Sequence, residues 1–238
     1  METQTGDGTR HGAERPVGRS IAGWTAVPRP GPDRLDGRYV SLERLNAARH
    51  AGDIFAANMG QDWVWDYLGY GPFARVEEYA AWLDGMAQSQ DPFFYALIDK
   101  AGAKTGGVAS YLRIEPGHGV IEIGHIEIAP FLQRTRAASE AIMLMVRWAF
   151  ENGYRRVEWK CDALNAPSRR AAERYGFAFE GVFRNHMIIK GRNRDTAWFA
   201  MTSEDWPAIR AEWDRWLDPS NFDDTGRQLT PLRVSSGA

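Results

Sequence analysis

Residues 121–150 read IEIGHIEIAPFLQRTRAASEAIMLMVRWAF, which predicts an apolar strand, a proline break, a short basic loop and a long buried helix. The first N–H groups of a helix have no intrahelical partner, so a basic loop at a helix start is a natural anion site. Here the loop over residues 133–138 adds two guanidiniums and a hydroxyl to those backbone donors. We therefore expect a phosphate-bearing ligand at this helix start.

The remaining pattern predicts one mixed α/β domain. Residues 1–33 are expected to be a flexible tail, 34–218 a single domain, and 219–238 a polar tail that frays. Strands are predicted near residues 38–45, 93–98, 107–114, 120–128, 156–161, 177–190 and 195–201. Helices are predicted to begin after Asn46 and Asn165, which can cap them, and a last helix carries a tryptophan stripe at 206–216.

Composition narrows the classes of function that the protein can have. A formal net charge of −2 argues against nucleic-acid binding, and no apolar run reaches the ~18–20 residues of a membrane helix. Five histidines and one cysteine, with no H-x-x-x-H or C-x-x-C, predict no metal site. Because Cys161 is the only cysteine, no internal disulfide can form, which fits a reducing cytoplasm.

Three motifs resemble the GNAT superfamily of acetyl-CoA-dependent N-acetyltransferases, and its RimJ/RimL-like branch in particular. The loop 133–138 is similar to the family's Q/R-x-x-G-x-G/A, although Arg136 stands where the family has glycine. Residues 165–177 are similar to N-x-x-S-x-x-x-x-E-K-x-G-F, and residues 37–45 look like the family's first strand and its lead into a helix. The resemblance covers roughly residues 37–201.

The resemblance implies a fold and a co-substrate. The fold is α/β (α+β), with a central mixed, mostly antiparallel sheet of about seven strands flanked by helices. Acetyl-CoA would be held by its pyrophosphate at the loop, by its pantetheine arm at Asn165, and by a backbone N–H near Ile128 at the thioester oxygen. The implied cofactor-binding residues are Ile128, Gln133, Arg134, Thr135, Arg136, Ala137, Ala138 and Asn165. Arg136 removes the freedom of a glycine but adds a charged donor.

Acetyl transfer to an amine also needs a group that protonates the departing thiolate. Many family members use a tyrosine where this chain has Ala172. Ser168 lies one helical turn earlier on the same face, and RimL-type enzymes are thought to use a serine at this place. Ser168 is therefore the acid candidate, and Tyr175 is the fallback. A first-turn serine that bonds the local backbone is the structural alternative.

A base must take the proton that the amine loses, and the predicted strand 120–128 offers acidic residues and a histidine. Glu127 is the first choice, His125 the second and Asp162 the third. Strand alternation puts His125 and Glu127 on one face and Glu122 on the other unless a bulge intervenes. A paired or solvated role is the alternative for each of them, so the base stays open at this stage.

These observations predict an N-acetyltransferase that moves an acetyl group from acetyl-CoA to a primary amine, either of a small molecule or of a protein N-terminus. If the aromatic stretch 63–73 borders the acceptor site, it favours a small-molecule acceptor. The structural alternative is that it packs the N-terminal helices on the sheet. The alternative function is a non-catalytic acyl-CoA sensor or regulatory domain, which Arg136 and the missing tyrosine keep open. A homodimer is common in related acetyltransferases, and the tryptophan-rich last helix is a candidate surface for one.

Overall fold

Over the described residues, eight strands join into a single sheet with helices on both faces. A computed structural model describes residues 15–234. The strands are β1 Arg34–Asp36, β2 Val40–Arg44, β3 Phe93–Asp99, β4 Lys104–Glu115, β5 Val120–Ile128, β6 Arg156–Asp162, β7 Ala178–Ile189 and β8 Arg192–Thr202. The helices are α1 Ala47–Asn58, α2 Val76–Gln88, α3 Arg136–Glu151, α4 Ala166–Tyr175 and α5 Trp206–Leu217. The predicted fold class is confirmed, with eight strands in place of about seven.

The sheet splits near its centre. Its order is β1-β2-β3-β4-β5-β6-β8-β7, and every neighbouring pair is antiparallel except β5 and β6. The parallel pair is in register only from Val120↔Arg156 to Glu122↔Glu158. Beyond these residues both strands continue without pairing to each other, which leaves a wedge-shaped gap that we call the wedge. Both strands run into it with their carboxyl ends, so α3 and α4, which follow them, begin at its mouth.

Two apolar cores cover the two faces of the sheet. On one face α1 and α2 pack with Ile54, Tyr79 and Leu83 against Phe94 and Val108 of the sheet. On the other face α3 and α5 pack against β5, β6 and β8, with Ile121, Ile123, Val157, Trp159 and Phe199 pointing towards them. Alternation along each strand sends neighbouring residues to opposite cores, which is why Glu122 and Lys160 lie on the α1/α2 face.

Helix ends follow the predicted signals. Asn46 and Asn165 cap α1 and α4, each through a side-chain oxygen that accepts from a backbone N–H three residues on. Gly176 ends α4 with a φ of +94°, a left-handed conformation that suits glycine. The tryptophan stripe of α5 is buried inside the domain, so it is not a free surface for a homodimer. Within the described residues, no helix combines the length and the apolar character needed to cross a membrane.

Both terminal segments are more closely packed than expected. Residues 1–14 lie outside the described part, but the carbonyls of Pro28 and Pro32 accept hydrogen bonds from the hydroxyls of Tyr154 and Tyr95. At the other end, residues 219–234 fold back onto the domain and contact its core. Asn221 is buried and Phe222 pairs with Gln228, because amide side chains satisfy the returning backbone and an aromatic ring joins the core.

Candidate active site

The start of α3 presents unpaired backbone donors at the mouth of the wedge. Thr135 caps this 16-residue helix, since its hydroxyl oxygen accepts from the Ala138 N–H at 3.1 Å. Among the described residues, the N–H groups of Arg136 and Ala137 have no recorded acceptor. The helix dipole adds positive potential at the same place. These donors form a site that fits a phosphate group.

The loop before α3 is held to the end of β5. The Gln133 side chain donates to the Ile128 carbonyl at 2.8 Å, and the Thr135 hydroxyl donates to the Leu132 carbonyl at 2.7 Å. Arg134 takes a left-handed conformation, with a φ of +62°, and its side chain is exposed. The loop therefore turns tightly without the glycine of the family pattern. Arg134 is the guanidinium that is free to meet an anion at this helix start.

Arg136 does not point into open solvent. Its guanidinium carbon lies 4.2 Å from the ring centre of Tyr39 and 4.9 Å from that of Phe222. A guanidinium over the faces of two aromatic rings gains cation–π attraction, and within residues 15–234 its N–H donors make no hydrogen bond. The side chain thus joins the first strand region, α3 and the C-terminal segment. Its contact with a pyrophosphate stays a prediction.

Glu140, one turn into α3, was not recognised as important from the sequence. Its buried carboxylate accepts from the backbone N–H groups of Arg38, Tyr39 and Val40 at 2.6–3.0 Å. A Cβ on Gly37 would collide with this carboxylate, so glycine is needed there. The arrangement fixes the start of α3 against β2. The sequence Ser139-Glu140-Ala141 resembles the T-E-A that follows the loop in RimJ/RimL-like proteins, but no local pattern predicts a contact between residues about a hundred positions apart.

The β5 end directs one backbone N–H into the wedge. The Ala129 N–H donates to the Gly106 carbonyl at 2.8 Å, and Ile128 is paired with Gly107. This pattern makes Ile128 and Gly107 a non-hydrogen-bonded pair, whose backbone groups point away from each other. The Ile128 N–H therefore faces the wedge, where a thioester oxygen is expected.

Ser168 lies in the first turn of α4, on the other side of the wedge mouth. Its backbone N–H donates to the capping Asn165 at 3.1 Å, so the Asn165 side chain is occupied as a cap. Its hydroxyl oxygen accepts from the Trp159 indole N–H at 3.0 Å. Tyr175, the fallback acid, is buried, and its hydroxyl donates to Ser139 at 3.3 Å. Of these two hydroxyls, only that of Ser168 lies at the start of α4.

A β-bulge changes which strand residues share a face. Val108 pairs with Glu127 and Ser110 with Gly124, so two residues of β5 lie opposite one of β4. His125 sits in this bulge with a φ of +49°. Consequently Glu122, His125 and Glu127 all meet the α1/α2 side. Strict alternation would put Glu122 on the other face, and the bulge, which the sequence analysis names as the exception, brings Glu127 to the same face as Glu122.

Glu127 is buried between the sheet and the N-terminal helices. Its two carboxylate oxygens accept from Tyr79 at 2.7 Å and from Asn58 at 2.5 Å. Burial raises its pKa to about 7, although both hydrogen bonds act in the opposite direction. Only 1% of the residue is exposed, so an acceptor amine has no open path to it. Glu127 ties α1 and α2 to the end of β5.

His125 is partly exposed beside the same helices. Its ring stacks on Tyr70 and tilts against Phe94. Burial lowers its pKa to about 4, and the nearby Arg113 and Arg194 add to this effect. The imidazole is therefore neutral at pH 7 and has a nitrogen lone pair for a proton. Asp162, the third candidate base, accepts from the Leu164 N–H at 2.8 Å in the turn before α4.

The floor of the wedge on the α1/α2 face carries compensated charges. The buried Lys160 ammonium lies 3.0 Å from Glu122 and 2.7 Å from Glu158, and 3.7 Å from the ring centre of Trp198. Arg113 donates to Glu122 at 2.7 Å. Each buried charge thus has an opposite partner. The described residues include no cluster of side chains that suits a metal ion.

The aromatic stretch 63–73 packs the N-terminal helices and also borders this floor. Trp65 lies 5.7 Å from Tyr79 and Tyr70 lies 4.0 Å from Trp82, measured between ring centres. These contacts support the structural interpretation of the stretch. Tyr67 remains exposed at 39% and donates to the Leu164 carbonyl at 3.1 Å, next to the start of α4. The stretch therefore also reaches the rim of the site.

Comparison with known proteins gives a consistent family match. A family model described as an acetyltransferase (GNAT) domain matches residues 40–178. The chain is similar to a GCN5-related N-acetyltransferase from Brucella melitensis, with 47% identity, a TM-score of 0.86, and 88% of this chain and 96% of that chain covered. It is also similar to a probable GNAT-family acetyltransferase from Chromobacterium violaceum ATCC 12472, with 40% identity, a TM-score of 0.77, and 82% and 99% covered.

A more distant similarity extends to the fold alone. The ribosomal L7/L12 α-N-protein acetyltransferase RimL shares 21% identity and a TM-score of 0.62, over 75% of this chain and 99% of that chain. The RimJ/RimL-like branch therefore stays a prediction. No significant match was found among curated proteins.

Proposed function

Since this chain belongs to the GNAT acetyltransferase family, whose members transfer acetyl groups from acetyl-CoA, we propose that it is an N-acetyltransferase acting on a primary amine. The wedge carries this proposal. Two strands separate after Glu122 and Glu158, and two helices begin at the mouth of the gap. This geometry offers backbone donors for phosphates on one side and a hydroxyl on the other.

Acetyl-CoA fits the wedge by its chemistry. We propose that its pyrophosphate lies at the free N–H groups of Arg136 and Ala137, with Arg134 close enough to pair with it. The pantetheine arm would run along the unpaired edge of β5 towards Ile128. The N–H of Ile128 would then stabilise the charge that develops on the thioester oxygen. Gln133, Thr135, Ala138 and Asn165 would support this site by holding the loop and both helix starts.

The transfer itself needs a base and an acid. The amine nitrogen bonds to the carbonyl carbon while the carbon–sulfur bond breaks, and the electron pair of that bond goes to sulfur. We assign the amine proton to His125 in preference to Glu127, since His125 is neutral and partly exposed whereas Glu127 is buried with both oxygens occupied. Because the pKa of His125 is lowered to about 4, the imidazolium then passes this proton on to water. Ser168 gives a proton to sulfur and regains one from water.

The acceptor is proposed to be a small molecule in preference to a protein N-terminus. The acceptor side is bordered by aromatic side chains, among them Tyr70 and Trp198, and its charges are already paired. Such a surface suits a compact amine with an apolar or ring-bearing body.

The second candidate function is a non-catalytic acyl-CoA sensor, because the Arg136 guanidinium is engaged with the rings of Tyr39 and Phe222. An assay with a panel of amines distinguishes the enzyme from the sensor. Calorimetric titration measures binding of acetyl-CoA and CoA, and thiol release is then followed with small amines and with peptides that have free N-termini. Thiol release that depends on an amine supports the enzyme. Binding without release on any amine supports the sensor, and failure to bind either compound contradicts both.

A further inference from the structure

The side chain of Trp159 donates a hydrogen bond to the hydroxyl of Ser168. Its indole Nε1 lies 3.0 Å from the Ser168 oxygen. Trp159 belongs to β6 and Ser168 to α4, so the bond joins the wall of the wedge to the helix that begins at its mouth. Neither the family pattern nor the sequence spacing drew attention to this tryptophan.

The direction of this hydrogen bond decides where the serine proton can go. An indole N–H only donates, and a serine hydroxyl has one proton and two acceptor positions. Trp159 therefore fills one acceptor position and cannot receive the serine proton. The Cys161 thiol on the same strand is a second neighbour of this hydroxyl: burial raises the pKa of Cys161, and a side-chain hydrogen bond with Ser168 acts in the opposite direction. Of these two neighbours, Trp159 is the one that cannot take the serine proton.

The indole ring is itself held in place. It is 4% exposed, and its ring centre lies 6.2 Å from that of Tyr175 and 5.7 Å from that of Phe177. A buried donor that cannot turn away keeps its hydrogen bond without the competition of water. The fixed N–H also stabilises negative charge on the serine oxygen while its proton is away.

We propose that Trp159 is a positioning residue for acetyl transfer, which orients the Ser168 hydroxyl and aims its proton into the wedge. This inference rests on the proposed function, because it has no meaning if Ser168 does not protonate the departing sulfur. It adds a second residue to that step. The new residue acts on the leaving group through Ser168 and makes no contact with the acceptor amine.

The test replaces Trp159 by phenylalanine, which keeps an aromatic ring and removes the N–H. We expect kcat to fall about fivefold, the size of one neutral hydrogen bond, with KM for acetyl-CoA changed less than about twofold. Trp213→Phe is the matched control. Trp213 is equally buried in the same core, but its indole nitrogen makes no hydrogen bond within the described residues. Its kcat should equal that of the wild type.

A double-mutant cycle separates positioning from general damage. In the Ser168→Ala background, Trp159→Phe should cause no further loss of kcat, whereas a fivefold loss in both backgrounds would overturn the inference. Unchanged kcat in the single variant would overturn it too. If the wild type itself releases no thiol with any amine, the proposed function fails first, and the two failures are thereby distinguished.

If the Trp159→Phe variant does not fold, a second measurement tests the inference with Ser168→Ala. The chain has ten tryptophans, so its NMR spectrum should contain ten indole N–H signals. In Ser168→Ala, one of these signals should move upfield and exchange faster with solvent, because it has lost its acceptor. An indole spectrum identical to that of the wild type would show that the hydrogen bond does not form and would overturn the inference.

Discussion

At the scale of single residues, burial assigns roles that residue type alone leaves open. Glu127 and His125 lie two positions apart on β5, and both are candidates for a base from the sequence. The structure gives the carboxylate two donors and almost no exposure, and it leaves the imidazole neutral and partly open. The bulge that separates their environments has no local marker in the sequence, since a left-handed histidine is uncommon and not announced by its neighbours.

Glu127→Gln is expected to change how stability depends on pH. Burial raises the pKa of Glu127 from 4.5 to about 7. A carboxyl with a raised pKa in the folded state binds more protons than in the unfolded state, so wild-type stability falls as pH rises from about 4.5 to 7. Glutamine does not titrate. The free energy of unfolding of the variant relative to the wild type should therefore rise by about 2–3 kcal/mol between pH 5 and 8.

Urea unfolding at several pH values measures this difference. Glu173→Gln is the control, because Glu173 is exposed on α4, and its stability should follow that of the wild type at every pH. A constant difference between Glu127→Gln and the wild type from pH 5 to 8 would contradict the account of Glu127.

At the scale of elements, most helices and strands could be predicted from the sequence, whereas their junctions could not. The caps at Asn46 and Asn165 and the stop at Gly176 are local signals, and the structure confirms all three. The junction of β2 with α3 through Glu140 joins residues about a hundred positions apart. A local pattern of apolar and polar residues cannot predict a contact between residues so far apart in the sequence.

Glu140→Gln is expected to loosen this junction. The carboxylate accepts three backbone N–H groups, and an amide replaces one accepting oxygen by a donor that faces an N–H. A buried donor without an acceptor costs about 1–3 kcal/mol, and we expect a loss of at least that size in urea unfolding. Glu151→Gln, at the exposed end of the same helix, should cost less than about 1 kcal/mol. Equal effects of the two changes would show that the junction contributes nothing special.

Arg136→Glu tests the start of α3 as a binding element. The change reverses a charge beside the proposed pyrophosphate position and removes the cation–π contacts with Tyr39 and Phe222, so CoA affinity should fall at least about tenfold. Arg210→Glu is the control, since Arg210 lies by Glu151 at the far end of α3 and such a distance is screened by salt. Calorimetry measures both. Unchanged affinity in Arg136→Glu would show that this guanidinium serves packing alone.

At the scale of the whole molecule, the sequence motifs predict the family and the fold. They do not predict that both terminal segments pack against the domain. Polar composition suggested tails, yet Tyr95 and Tyr154 bind carbonyls of residues before the first strand. Phe222 joins Tyr39 in enclosing Arg136. Composition describes a segment by itself, whereas these segments gain their order from partners supplied by the rest of the chain.

The central claim is that the wedge brings acetyl-CoA and an amine together for transfer with Ser168 as the acid. Its most direct test compares thiol release by the wild type and by Ser168→Ala, with acetyl-CoA and the amine panel. We predict amine-dependent release by the wild type, and in the variant a kcat about 10- to 100-fold lower at unchanged acetyl-CoA affinity. Release at the wild-type rate by Ser168→Ala, or tight acetyl-CoA binding with no release for any amine, would contradict the account.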